Sequence, residues 1–559
     1  MSRRKPEIVD LDAKEWDAIL ERSKTAPLSD EDRELLRVGG KTLRWLIEEL
    51  EKKSASLARL RQSFSLNTKK TEKTSEVLKG ADDAESCDGA GEKSDKKPEK
   101  GDEKPKKKPK GHGRNGADAY KGAEKVAVPH ELLQSGDPCP GCERGKLYGQ
   151  KPHQLLRLIG QAPISATLWE MEKLRCNLCG EIFTATPPPE ALKKKYDETA
   201  ASMIALLKYG NGLPFNRLAG LEGNLGIPLP ASTQWDVAAA AVVRGCVSAY
   251  EELIRTGAQG DVFYHDDTTM KVLELLKENR RMVPGSKERT GMFTTGVVAL
   301  WEEHQIALFF TGRQHAGENL KDVLKERAAE RGPPIQMCDG SSRNESEEIV
   351  TFSANCLTHG RRKFVEVTNS FPGECRYVLE ALREVYKNDA TTRKQKMSRQ
   401  ERLCFHQAHS AEVMADLKRW LEDQLAQRKV EPSSSLGGAF FYMLKRWLKL
   451  TLFLRKAGAP LDNNICEQML KKAILHRKNA LFYKTLNGAR VGDVFMSLIH
   501  TAERAGANPF DYLTELQKHA EEVRSAPRQW MPWNYRETLD ALDEPTARNG
   551  DAQQREPRC

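Results

Sequence analysis

The chain has 559 residues, 30% of them charged, and a net charge of +9. Such a length exceeds one ordinary core and predicts three or four domains. It holds no apolar run near the roughly 20 residues of a membrane helix and no signal peptide behind Met1-Ser-Arg-Arg-Lys-Pro-Glu, while twelve cysteines over this length are no secreted disulfide framework; a cytoplasmic protein is expected.

Leu36, Leu43, Leu50, Leu57 and Phe64 recur every seven residues, so residues 1–66 read as an N-terminal coiled-coil helix that pairs copies into a homodimer or higher oligomer; a short amphipathic helix packed on its own chain is the plain alternative. Residues 67–127 are rich in Lys, Asp, Gly and Pro without periodicity, a composition that cannot offset its ordering entropy, and read as a disordered linker. Within it, Lys93 to Arg114 holds ten Lys/Arg against four Asp/Glu, a net of +6. That run suits a polyanion, with Lys106, Lys107 and Lys108 tracking phosphates; a solvated linker is the plain alternative.

Next come Cys139-Pro-Gly-Cys142 and Cys176-Asn-Leu-Cys179. Each pair can close a turn around a metal, and two pairs make a tetrahedral thiolate set. Residues 128–190 are therefore expected to fold as a zinc-ribbon-like module around one structural Zn²⁺. In 191–258 helices are expected at 200–209, 215–223 and 232–250. Leu213-Pro-Phe-Asn-Arg-Leu218 through Trp235 has a helix-turn-helix layout, with Gly226 in the turn and Ser232 or Thr233 as cap; a plain helical bundle fits as well.

From residue 261 the pattern turns to strands, at 261–267, 269–275, 293–301 and 305–311, then a helix at 317–330 and a strand at 335–339. This is an α/β sheet whose first and last strands each end on an acid. Residues 376–458 carry helical periodicity throughout, and helices at 462–472 and 488–505 close the fold. The domains read as 259–375, a helical insertion 376–458, 459–525, and a tail 526–559. As a whole the chain is multidomain α+β.

The acids are Asp267 (or its neighbour Asp266, which sequence physics does not separate from it), Asp339 and Glu467. Three convergent carboxylates suit two Mg²⁺ or Mn²⁺ ions on a phosphodiester, since these ions take oxygen ligands and stabilise the entering and leaving oxygens together. Each acid also has a bland reading: a turn start at 266–267, an Asp-Gly turn at 339–340, a capping box at Asn464 and Glu467. Cys356 and His359 lack a second pair nearby, so a buried cysteine and a helix-start histidine are expected rather than half a zinc site. Arg361, Arg362, Lys363, Arg477, Lys478 and Asn479 flank the acids in sequence and suit phosphate, with solvated helix faces as the alternative.

Asp462-Asn-Asn-x-x-Glu467 followed by Arg477-Lys-Asn479-x-Leu-Phe482 resembles the C-terminal signature of transposases of the insertion sequence 66 family. His265-Asp-Asp267-Thr-Thr is similar to its first acid motif, Cys338-Asp339-Gly340 to its second, and Cys356-Leu-Thr-His359-Gly-Arg-Arg-Lys-Phe364 to its Cys-x-x-His block. The heptads, basic linker, Cys-x-x-Cys pairs and Leu213-Pro-Phe segment follow in the family's order. Thr268 stands where that pattern has an acid after the first Asp, Ser341 where it has an aromatic, and Gln468 where it has Arg. The resemblance implies a DDE triad of Asp267, Asp339 and Glu467 in an RNase H-like catalytic domain. It further implies two Mg²⁺ per site, cleavage and strand transfer at terminal inverted repeats, small accessory proteins, and a cytoplasmic enzyme that joins the nucleoid when on DNA. The alternatives are a non-catalytic DNA-binding repressor or domesticated remnant, and a structure-specific nuclease on the same fold.

Overall fold

The computed structural model describes residues 21–22, 29–38, 134–138, 140, 146–147, 162–175, 182–282, 288–344 and 350–543. The heptad positions after Leu36, Lys106, Lys107 and Lys108, and the cysteines Cys139, Cys142, Cys176 and Cys179 lie outside those residues. The chain divides into two compact units, residues 90–163 and residues 1–89 with 164–559. In the first, an antiparallel bridge joins Pro138 to Lys146. The remaining strands and helices belong to the second unit.

Strands β1 (Lys173–Arg175) and β2 (Ile182–Thr184) pair antiparallel. Helices α1 (Glu198–Ala205), α2 (Phe215–Asn224), α3 (Ala231–Ala241) and α4 (Val247–Ala258) follow. Gly226 takes φ +80 in the turn before α3, as expected. The expected Ser232 or Thr233 cap is absent: α3 starts one residue earlier, behind Pro230, with no side-chain cap. The end of the turn is held by buried Gln234, whose amide donates to Phe215 O (3.1 Å) and Leu229 O (2.8 Å).

The centre is a five-stranded mixed sheet in the order β5-β4-β3-β6-β7. Its strands are β3 (Val262–Thr269), β4 (Phe293–Trp301), β5 (His304–Gly312), β6 (Ile335–Cys338) and β7 (Phe352–Asn355). The first three run antiparallel in sequence, and β6 and β7 run parallel beyond β3. Two local expectations fail here. The strand expected at 269–275 reduces to an isolated bridge of Val272 to Tyr483, and the chain coils into α5 (Leu273–Arg281), because Leu-Glu-Leu-Leu-Lys-Glu favours a helix once no partner strand is offered. β7, which had no alternating pattern to reveal it, was not expected.

Helix α6 (Ala316–Leu324) packs on one face of β3 and β4, and α12 (Asn464–Ala480) on the other. Between β7 and α12 the chain is helical: α7 (Leu357–Val365), α8 (Pro372–Lys394), α9 (Arg399–His409), α10 (Ala411–Ala426) and α11 (Ser435–Lys445). The expected helical stretch 376–458 is thus present. Helix α13 (Leu486–Arg504) lies along the edge strand β5. Three of its side chains satisfy the outward amides of that strand. Asp493 accepts from Thr311 N (2.7 Å), Ser497 from Phe309 N (2.9 Å) and Thr501 from Ala307 N (3.1 Å). The spacings agree because four helical residues rise about 6 Å and two strand residues about 6.6 Å. Residues 527–543 do not trail as a tail: Trp530 and Tyr535 are buried. No helix among the described residues is long and apolar enough to cross a membrane.

Candidate active site

The pleat of β3 sends Asp266 and Asp267 to opposite faces of the sheet. Asp266 lies opposite Gly296 on β4 and Asp267 opposite Thr295. Gly296 faces α12; a Cβ there would sit 3.2 Å from Leu470 Cγ and 3.7 Å from Cys466 Sγ. Thr295 faces α6, whose Asn319 donates to Thr295 Oγ1 over 2.8 Å. Asp266 is therefore on the α12 face. Asp267 is on the α6 face, its Oδ2 2.9 Å from His315 Nδ1.

Asp339 directly follows β6. Met337 is in parallel register with Tyr264, so two residues on, Asp339 shares the face of Asp266. One amide spans the pair: Asn344 Nδ2 donates to Asp339 Oδ1 at 2.8 Å and to Asp266 Oδ1 at 3.3 Å. Asp266 Oδ1 also accepts from the Asp267 backbone N–H and Asp339 Oδ1 from that of Ser341, both at 2.8 Å. Burial pushes the Asp266 carboxyl up to about 7, and the charge of Asp339 pushes the same way.

The helical segment braces this corner. Gly340 takes φ +79 and a Cβ on it would meet Arg446 Nε at 2.8 Å, so the turn admits glycine alone without strain. Tyr442 Oη donates to Asp339 O (2.8 Å), and Arg446 Nε and Nη2 donate to Gly340 O (3.2 and 3.0 Å). Beneath the acids, burial lowers His265 to about 4, so its ring is neutral near pH 7. Gln336 Nε2 lies 3.0 Å from His265 Nε2 and donates to Asn344 O (2.8 Å). Thr351 Oγ1 donates to Gln336 Oε1 (2.9 Å) and fixes the amide's direction.

Glu467 stands in the first turn of α12. The helix start is fastened to β3 by Asn463, which is 0% exposed: its Nδ2 donates to His265 O at 3.1 Å and its backbone N–H to Cys356 Sγ at 3.2 Å. Cys466 Sγ donates to Gly296 O at 3.3 Å. The capping box that is the plain alternative at Asn464 and Glu467 does not form; the Asn464 N–H is taken by Asp462 Oδ1 at 3.1 Å. Glu467 Oε1 is 3.8 Å from His359 Nδ1 and Oε2 is 3.9 Å from Arg362 Nη2, both beyond hydrogen-bond distance. The first two atoms are buried without a hydrogen-bond partner.

Asp339 of the expected triad thus lies on the face covered by α12, the helix that carries Glu467, and Asp267 does not. Its neighbour Asp266 occupies that face, for the reason that successive strand residues alternate. The same one-residue shift supplies the acid expected directly after the first Asp, as Asp267. Among the basic residues, Arg362 is beside Glu467, Lys478 is exposed and Arg361 is partly buried. Lys363 Nζ lies 5.8 Å from the Tyr442 ring centre. Arg477 is engaged inside the fold, donating to Thr268 Oγ1 (3.0 Å) and Thr269 Oγ1 (2.8 Å), and Asn479 donates to Gly212 O (3.1 Å). Sequence reasoning missed Asn344 and Asn463. The first carries no local signal; the second was legible only as part of Asp462-Asn-Asn464.

A family model described as "Transposase IS66 family" matches residues 193–491, a span that holds all of these acids. The chain is 31% identical over 198 residues to the uncharacterized protein y4jD of Sinorhizobium fredii, covering 35% of this chain and 38% of that one. It is 25% identical over 363 residues to the uncharacterized protein y4qI of the same organism, covering 61% and 62%. The chain therefore spans less than two thirds of the length of either relative. No solved structure matches it.

Proposed function

The chain belongs to the transposase IS66 family, and from that premise we propose that it cuts and joins DNA at the ends of an insertion sequence, with Asp266, Asp339 and Glu467 holding two Mg²⁺ or Mn²⁺ ions. The observation that carries this reading is the meeting of Asp266 and Asp339 under one amide, Asn344, on the face against which α12 brings Glu467. The sheet supports an RNase H-like core: three antiparallel strands, two parallel strands beyond β3, and helices on both faces. The donor set fits the ion. It offers carboxylate oxygens only, the ligands magnesium takes, and Glu467 Oε1 is a buried acceptor with no hydrogen-bond partner. When bound, the ions supply charge neutralisation for the entering and leaving oxygens of the phosphodiester.

The protein's own groups divide the remaining work. Asn463 sets the distance between the helix start and β3. Asn344, Tyr442 and Arg446 hold the Asp339 turn. The Arg362 guanidinium is poised to receive a backbone phosphate. Arg477 holds the end of β3, and Lys478 faces solvent for DNA. Lys106, Lys107, Lys108, Arg361 and Lys363 complete the proposed DNA contacts, and Cys139, Cys142, Cys176 and Cys179 the proposed zinc module.

The test uses the full chain, labelled element ends and Mg²⁺ or Mn²⁺. Asp266→Asn, Asp339→Asn and Glu467→Gln should each lose cleavage by about a hundredfold or more while still retarding the end DNA. Asp267→Asn should keep cleaving. Normal cleavage by Asp266→Asn together with a dead Asp267→Asn would return the role to Asp267.

A further inference from the structure

Cys356-Leu-Thr-His359 has no partner pair near it in sequence, but the fold supplies a third group. Cys356 Sγ, a ring nitrogen of His359 and a carboxylate oxygen of Glu467 all lie within 4.8 Å of one another. Cys356 is fully buried and stands directly before α7, so its sulfur meets a helix N-terminus. The Asn463 N–H donates to it at 3.2 Å, and the His359 N–H faces it as well. Burial pushes the Cys356 thiol up to about 12, and these contacts act against that rise.

The other two donors are unspent. Glu467 Oε1 and His359 Nδ1 are buried without a hydrogen-bond partner at 3.8 Å from each other. A tetrahedral zinc ion with bonds of about 2.0–2.3 Å separates its ligands by roughly 3.4 Å, so a small side-chain adjustment closes the set. Thiolate and imidazole select zinc or cobalt over magnesium, whereas a set of oxygens alone does the reverse.

We infer that Cys356, His359 and Glu467 form a binding site for one thiophilic divalent cation, zinc or cobalt, which shares Glu467 with the magnesium site. Three protein ligands leave a fourth position for water. Binding breaks the Cys356 S–H bond, forms a sulfur–metal bond and releases the proton to solvent. The cation then holds Glu467 away from Asp266 and Asp339, so zinc inhibits cleavage. This inhibition rests on the proposed role of Glu467; the binding does not.

The experiment loads the full chain with Co²⁺ or Zn²⁺, removes loosely held ions and counts metal per chain, recording the thiolate-to-cobalt charge-transfer band. Cys356→Ser and His359→Gln should each retain one ion fewer than wild type, with part of the band lost and unchanged circular dichroism. The four other candidate zinc cysteines are common to all variants. Equal counts and spectra in wild type and either folded variant overturn the site, and His359→Gln decides if Cys356→Ser does not fold. In Mg²⁺, added zinc should slow wild-type cleavage but leave His359→Gln at its own zinc-free rate. Equal zinc sensitivity with unequal metal counts overturns the shared use of Glu467. Absence of magnesium-dependent cleavage in wild type overturns the proposed function instead, and the metal count still decides the site.

Discussion

Replacing Asp266 with Asn should stabilise the metal-free protein, and more so as pH rises. The folded carboxyl is pushed from its ordinary 3.8 up to about 7, first by burial and then by Asp339. Folded Asp266 therefore keeps a proton that the unfolded chain releases between those values. The sign follows: stability declines as pH rises from 3.8 toward 7 and stays at its reduced level above that. At pH 8 the penalty is at most about 4 kcal/mol, reduced to about 2–3 kcal/mol because solvent reaches the partly buried carboxyl. Urea midpoints of wild type and Asp266→Asn in a chelator should thus diverge from pH 5 to pH 8, the variant being the more stable. Magnesium should reverse the order, since it binds and stabilises the wild type preferentially. Asp267→Asn should show no such gain, because it loses the His315 contact. A pH-independent loss of stability in Asp266→Asn, or an equal gain in Asp267→Asn, would refute the assignment of faces.

Asn463→Ala, which leaves the helix start unfastened, should cost about 1–3 kcal/mol by denaturant midpoint and reduce cleavage more than end binding. Gly340→Ala places a methyl group on a left-handed turn and against Arg446; it should cost about 1–3 kcal/mol, read as a lower thermal midpoint. Thr501→Val removes both hydrogen bonds to Ala307 and should cost about 1–2 kcal/mol with cleavage retained in the folded fraction.

Four of the five strands' surroundings were legible because β3, β4, β5 and β6 carry β-branched or apolar runs between turns. The acids at strand ends and at a helix start were legible as a set. Which of two adjacent aspartates points inward was not, because a one-residue uncertainty in register exchanges the faces. β7 and α5 show the two directions of local failure: Phe352-Ser-Ala-Asn355 is a strand only because β6 offers it a partner, and Leu273 begins a helix because no strand is offered. The Cys356 and His359 pair looked incomplete because Glu467 arrives from far along the chain. Asn344 and Asn463 act through side-chain amides that reach other elements, contacts that sequence spacing does not display. The heptads and paired cysteines remain readings of the sequence.

The contacts of Asp493, Ser497 and Thr501 with β5 act as a vernier. Helix and strand repeats agree only at four-residue steps, so sliding α13 by a single residue breaks all three contacts together, and sliding it by four still sacrifices one. The helix and the sheet edge therefore have no graded intermediate positions and must travel as one rigid body. The Asp339 turn is held differently, by three hydrogen bonds from Tyr442 and Arg446 to two carbonyls.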